Sequence, residues 1–300
     1  MARRRKGSRL GVGESRLANA GLGLAAWIAG LLFFFPVFWM VLSSFKTEQD
    51  ANASPKFTFS PTLDRYREVV DSTEGLLSLS QAFRNSAIIV LVSTLIVLIL
   101  AIPAAYALSI RPVPKAKDVL FFFISTKFLP VVASILPLWI IARDVDLSFL
   151  GFLGFGSETL LNTKSVLVIL YIAMNLPLAI WMLRSFFMEV PRELIEASEI
   201  DGASLFGQLR SVVLPIAAPG IAATGLLCLI FAWNEYFYAV QLNNISGQTV
   251  PIWVTTNVST RGNFLAKLSA ASVVACIPVV LAGWVAQKRM IRGLSMGAIK

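Results

Sequence analysis

Side chains able to do chemistry are sparse in this 300-residue chain, and the densest group of them is acidic. The stretch MEVPRELIEASEIDGASLFGQLRSVVLPIAAPG carries Glu189, Glu193, Glu196, Glu199 and Asp201. With no histidine anywhere in the chain, these carboxylates make a better electrostatic docking surface than an acid/base site. The other polar candidates are embedded in apolar sequence: Asn85, Lys127 and the run Trp233-Asn234-Glu235. Lys127 interrupts an apolar stretch, where a charge is either functional or reaches an interface or neighbour along its aliphatic stem. Asn85 is either a polar contact or a helix cap. Trp233, Asn234 and Glu235 could stack on a ring and bind hydroxyls, or belong to an interfacial aromatic belt.

Several chemistries drop out. The two cysteines, Cys228 and Cys276, lie in separate apolar runs and form no CxxC pair, so no metal site or disulfide framework can be built from them. They read as structural thiols. No GxxxxGK[ST] phosphate loop is present, so the chain does not hydrolyse ATP by that route. We therefore assign no catalytic residue, no metal ligand and no cofactor.

The elements that must position these residues are membrane helices. Charged residues make up only 14% of the chain and the mean hydropathy is +0.73. A soluble domain carries roughly 25% charge, and a chain so poor in it cannot coat a water-facing surface. Six apolar runs are long enough to cross about 30 Å of hydrocarbon: 21–42, 86–110, 119–142, 165–183, 211–234 and 268–287. Pro36, Pro103, Pro130, Pro137, Pro177 and Pro278 lie inside them and are expected as kinks. The basic start MARRRKGSRLG precedes an apolar run too long for a signal peptide, so the first span is read as uncleaved. Placing the N-terminus inside puts most of the 26 Lys and Arg on the inner side, and an even number of spans returns the C-terminus there. The net charge of +9 then reflects topology, not nucleic-acid binding.

The expected organisation is an N-terminal tail (1–20), a first transmembrane segment (21–45), an outer loop (46–80), a core (81–290) and a C-terminal tail (291–300). Within the core, 188–215 is expected as a helix-turn-helix across the inner face. Pro191 suits a first helical turn, Glu193 favours the positive helix end, and Arg192 can pair with Glu196. Gly202 should end the first helix, and a second, over 203–213, should lead to Leu214-Pro215.

This segment resembles the EAA loop of ABC-importer permeases. Glu196-Ala197-Ser198 matches EAA with Ser in place of the second Ala; Gly202 follows, then Val212, Leu214 and Pro215 at the family spacing, with Val in place of Ile. IDGAS (Ile200, Asp201, Gly202, Ala203, Ser204) is also similar. AFRNSAIIVLVSTL resembles the start of the family's core domain, and NLPLAIWMLRSFF, AWNEYFYAVQL and RMIRGLSMGAIK resemble the sugar-importer branch, in particular its shorter, maltose-permease-like subunit. The likeness covers roughly residues 80–300, and the outer loop at SFLGFLGFGSETLLNT is longer than usual.

The resemblance implies an all-α integral membrane protein of about six spans, with the type I ABC-importer permease (MetI-like) fold. It implies a multi-pass subunit of a bacterial inner membrane with both termini cytoplasmic. Its partners would be a second homologous permease, two cytoplasmic ATP-binding subunits and an extracytoplasmic solute-binding protein. The solute would be a sugar, glycoside or sugar alcohol. Glu196 would pair with the ATPase, with Ala197 and Gly202 giving the close fit, and Glu193, Ser198, Asp201, Ala203, Leu214 and Pro215 completing the coupling segment. Asn85, Lys127, Trp233, Asn234 and Glu235 are expected along the solute pathway. The competing class is an ion-coupled secondary transporter, which calls for paired intramembrane acids or a broken-helix repeat; the sequence offers neither.

Overall fold

A computed structural model describes residues 16–53, 56–71, 77–111, 113–145, 160–243, 247–258 and 264–297. Most of the longer outer loop, 146–159, and both chain ends therefore lie outside the described residues. All the regular structure described is helical: α1 (Arg16–Ser43), α2 (Glu48–Asn52), α3 (Asp64–Asp71), α4 (Leu79–Ser109), α5 (Ala116–Ser125), α6 (Val131–Asp144), α7 (Lys164–Met188), α8 (Arg192–Ile200), α9 (Leu205–Gln208), α10 (Leu214–Trp233), α11 (Phe237–Leu242), α12 (Val250–Val258) and α13 (Leu265–Gly297).

Five helical stretches are long and apolar enough to cross a membrane, and a bent pair makes a sixth. That pair corrects one expectation. The third span is not a single helix: Ala116–Phe128 and Val131–Asp144 meet at 93°. Pro130 lacks an N–H and disfavours helical geometry in the residue before it, and Leu129 accordingly turns to an extended ψ of 124°. Pro36, Pro103, Pro137, Pro177 and Pro278 do lie within helices.

The bundle is built around α4 and α7, with α10 against both and α13 against α10. The buried side of α4 carries Ala82, Ser86, Ile89, Ser93, Val97, Ala101 and Ala105 at helical spacing. With lipid as solvent, the alanines and serines among them let helix backbones approach closely. Gly220 on α10 shows how close: a Cβ there would lie 2.2 Å from the Phe186 ring of α7. By contrast, α1 buries none of its apolar window, although it packs along α13. Such a helix is stable only with its surface in lipid or against another chain.

Two expected loops are partly helical. The segment after α1 folds into α2 and α3 and is fastened to the bundle. Lys46 is buried, donates to the Lys56 carbonyl at 2.8 Å and lies 4.3 Å from the Trp39 ring centroid. Ser44 and Tyr66 share a hydrogen bond of 2.6 Å. The loop before α13 contains α12, whose Val250 amide donates to Ser86 Oγ of α4 at 2.8 Å.

Candidate functional site

The chain leaves the bundle at Met188 and turns through Pro191 into α8. Pro191 is the N-cap, with Glu193 in the first turn. Gly202 has φ +77°, the left-handed geometry that glycine adopts without a Cβ penalty. The Gly202 amide donates to the Glu199 carbonyl and the Ala203 amide to the Ser198 carbonyl, both at 3.0 Å. These are the two bonds of a Schellman stop. Ser204 then caps the next helix, its hydroxyl accepting from the Gly207 amide at 3.2 Å.

The second helix of this elbow is not separate. α9 runs through a π turn, Leu209–Val213, directly into α10, so it is the first turn of the fifth span. The expected Arg192–Glu196 pair does not form. The ion pair of the elbow is instead Arg111–Glu199, at 2.9 Å. Arg111 also donates to Gln208 Oε1 at 2.6 Å, and the same oxygen accepts from the Tyr106 hydroxyl at 2.9 Å. Ile195 plants the elbow in an apolar cluster with Leu108, Leu209 and Val213.

What remains outside is a mixed knob. Glu193, Glu196, Ala197, Asp201, Gly202 and Ala203 are exposed, and Ser198 is half-buried with its hydroxyl on the Ile195 carbonyl. Among them stand Ile200, 87% exposed, and Phe206, 69% exposed, with Leu194 and Leu205. Acidic groups around exposed apolar anchors suit a protein partner better than bulk water. Leu214 is half-buried and Pro215 exposed at the base of α10.

The other predicted residues divide differently. Asn85, Trp233, Asn234 and Glu235 gather at the opposite end of the bundle. Asn85 lies inside α4, so it is not a cap; its amide donates to the Gln248 carbonyl at 3.3 Å. Trp233 is only 6% exposed, stacks edge-on with Phe83 and donates to the Ala275 carbonyl at 3.1 Å. That removes it from any surface belt. Glu235 caps α11: Oε1 accepts the Tyr238 amide at 2.9 Å and Oε2 the Ala239 amide at 3.1 Å. The Tyr171 hydroxyl donates to the same Oε2 at 3.1 Å. Asn234 is exposed, with its amide on the Ile230 carbonyl. It shares with Trp233 the wall of a mostly apolar hollow between α12 and α13. Lys127 sits apart, at the bend of the third span, and donates to the Met174 carbonyl in the turn before Pro177.

Sequence reasoning missed Tyr106, Arg111 and Gln208. Gln208 bonds to residues 102 and 97 positions away, and nothing local in the sequence links them. The Glu235 cap was within reach, because its two amide partners lie only three and four residues ahead.

The sulfoquinovosyl glycerol transport system permease protein SmoH of Agrobacterium fabrum is 31% identical over 283 residues, covering 92% of each chain. The trehalose/maltose transport system permease protein MalG of Thermococcus litoralis is 30% identical over 291 residues, covering 96% of this chain and 99% of that one. A crystal structure of a bacterial ABC transporter involved in the import of the acidic polysaccharide alginate contains a chain of the same fold. Its TM-score is 0.67 at 22% identity, over 91% of this chain and 96% of that one. Residues 76–293 match the family described as the inner membrane component of binding-protein-dependent transport systems. The chain thus belongs to that family, as a multi-pass transport subunit of the inner membrane and not an enzyme.

Proposed function

We propose that this chain is one of two homologous permease subunits of an ATP-driven importer for a sugar, glycoside or sugar alcohol. Two ATP-binding subunits dock on the elbows of the permease pair, and an extracytoplasmic binding protein delivers the solute. The elbow end is cytoplasmic, and so are both chain termini. The positive-inside bias supports that orientation, since Arg111, Arg184, Arg192 and Arg210 all lie near the α8 end. The proposed class of solute follows the relatives' names, which specify sulfoquinovosyl glycerol and trehalose/maltose for those proteins.

One observation carries the coupling role. α8 is a rigidly terminated helix that presents Glu193, Glu196 and exposed apolar side chains beyond the end of the bundle. A motor gripping that knob can move the spans, because α9 continues through the π turn Leu209–Val213 into α10. Closure of the ATP-binding subunits would thereby shift the bundle between two openings. Transport requires that the solute's contacts differ between them.

The test reconstitutes the full transporter in vesicles with its binding protein. That binding protein is first used to identify the solute by calorimetry against a panel of sugars, glycosides and polyols. Uptake should require ATP and fall to background in Glu196→Lys, with the protein still inserted. Uptake that proceeds without the ATP-binding subunits overturns the assignment.

A further inference from the structure

We propose that Tyr106, Arg111, Glu199 and Gln208 form a strap that passes displacement of α8 directly to α4. This rests on the docking of α8 to an ATP-binding subunit proposed above. The geometry joins three elements at one guanidinium. Arg111, just beyond the end of α4, holds Glu199 of α8 at 2.9 Å with one terminal nitrogen and Gln208 of α9 at 2.6 Å with the other. Tyr106, in the last turn of α4, donates to the same Gln208 oxygen at 2.9 Å. Gln208 is 1% exposed, so its amide is fixed within packed surroundings.

Each link has a separate reason to matter. The Arg111–Glu199 pair is partly exposed and by itself contributes little stability. Its value is directional: a planar fork holds two partners in fixed geometry, which the apolar cluster around Ile195 cannot do. The main-chain route from the elbow into α10 passes through the π turn Leu209–Val213 immediately after Gln208. Such turns mark places where helices adjust, so part of a displacement entering there can be absorbed. The strap leaves the elbow before that turn and ends on α4, a central helix of the bundle.

The experiment uses the assembled transporter. Spin labels are placed at Ser80 on α4 and Leu265 on α13, at the end opposite α8, after Cys228 and Cys276 are replaced by alanine. The label-to-label distance is measured without nucleotide and with ATP plus vanadate. We expect a nucleotide-dependent shift in the parent protein. The shift should be lost in Arg111→Glu and in Glu199→Arg, with the ATP-binding subunits still co-purifying, and should return in the double exchange. Arg111→Gln and Tyr106→Phe, milder changes, should each shrink it. A full shift in Arg111→Glu, or an assembled double exchange that stays silent, overturns the strap. Loss of co-purification in the single variants also overturns it, by making Arg111 and Glu199 docking groups. No shift in an assembled parent complex leaves the strap nothing to carry and overturns it alone. A parent chain that brings down no ATP-binding subunit overturns the docking reading, and the strap with it.

Discussion

Glu48 caps the last long helix through Lys267: its Oε1 accepts the Lys267 amide at 2.8 Å, and its Oε2 accepts the neighbouring Ala266 amide at 3.1 Å. A side chain from the segment after α1 thus satisfies orphan donors at the start of α13, near the far end of the sequence. Glu48→Ala should destabilise the protein by about 1–2 kcal/mol, combining the lost cap with the lost charge at the helix dipole. Glu48→Gln should fall between, since one oxygen remains. Thermal unfolding in detergent measures both, and an unchanged midpoint in Glu48→Ala would show that the cap contributes nothing.

Gly220 marks a close approach of α10 to α7. A Cβ would meet Cγ of Phe186 at 2.2 Å, the fixed root of the ring and not a flexible tip. Gly220→Ala should therefore cost about 1–3 kcal/mol by overpacking. Combining it with Phe186→Leu should recover part of the loss, because the two positions couple directly. A Gly220→Ala protein as stable as the parent would contradict this packing.

The carboxylate of Glu235 is committed to the amides of Tyr238 and Ala239 and to the Tyr171 hydroxyl. Its removal should act first on stability. Glu235→Ala leaves buried donors unpaired, at about 1–3 kcal/mol, whereas Glu235→Gln keeps one acceptor and should lose less. Unfolding of the two variants, measured without solute, checks this order. Equal stability of Glu235→Ala and the parent would return the residue to the solute pathway.

Gly202 should tolerate no side chain cheaply, although space around it is open. The positive φ alone should make Gly202→Ala unfavourable by about 1 kcal/mol. Gly202→Asn should be milder, because asparagine visits this region more readily. Hydrogen exchange over α8 should rise in Gly202→Ala and stay near the parent value in Gly202→Asn.

The parts of the fold visible in the sequence are those with local causes. Apolar length set the spans, and the stop at Gly202 followed from one residue type at one spacing. The bend at Pro130 was not separable from the other prolines, since Pro103, Pro137 and Pro177 sit in equally apolar runs and remain inside helices. Next to the break, Lys127 reaches across to Met174 of α7, a contact 47 residues away in sequence. The elbow was legible as an acidic helix-turn-helix, but its polar anchor was not. Arg192 and Glu196 offered a local pair, and Arg111 took Glu199 from across the fold instead. At the opposite end, the burial of Trp233 and the third partner of Glu235 were not legible, because they depend on Phe83, Ala275 and Tyr171, all distant in sequence.

The most direct measurement is co-purification of the ATP-binding subunit with this chain from one membrane, comparing the parent with Glu196→Lys at matched levels of inserted protein. The account predicts near-stoichiometric capture by the parent and loss of most of it when that single exposed carboxylate on α8 is reversed. Equal capture by both proteins, or none by the parent, would contradict it.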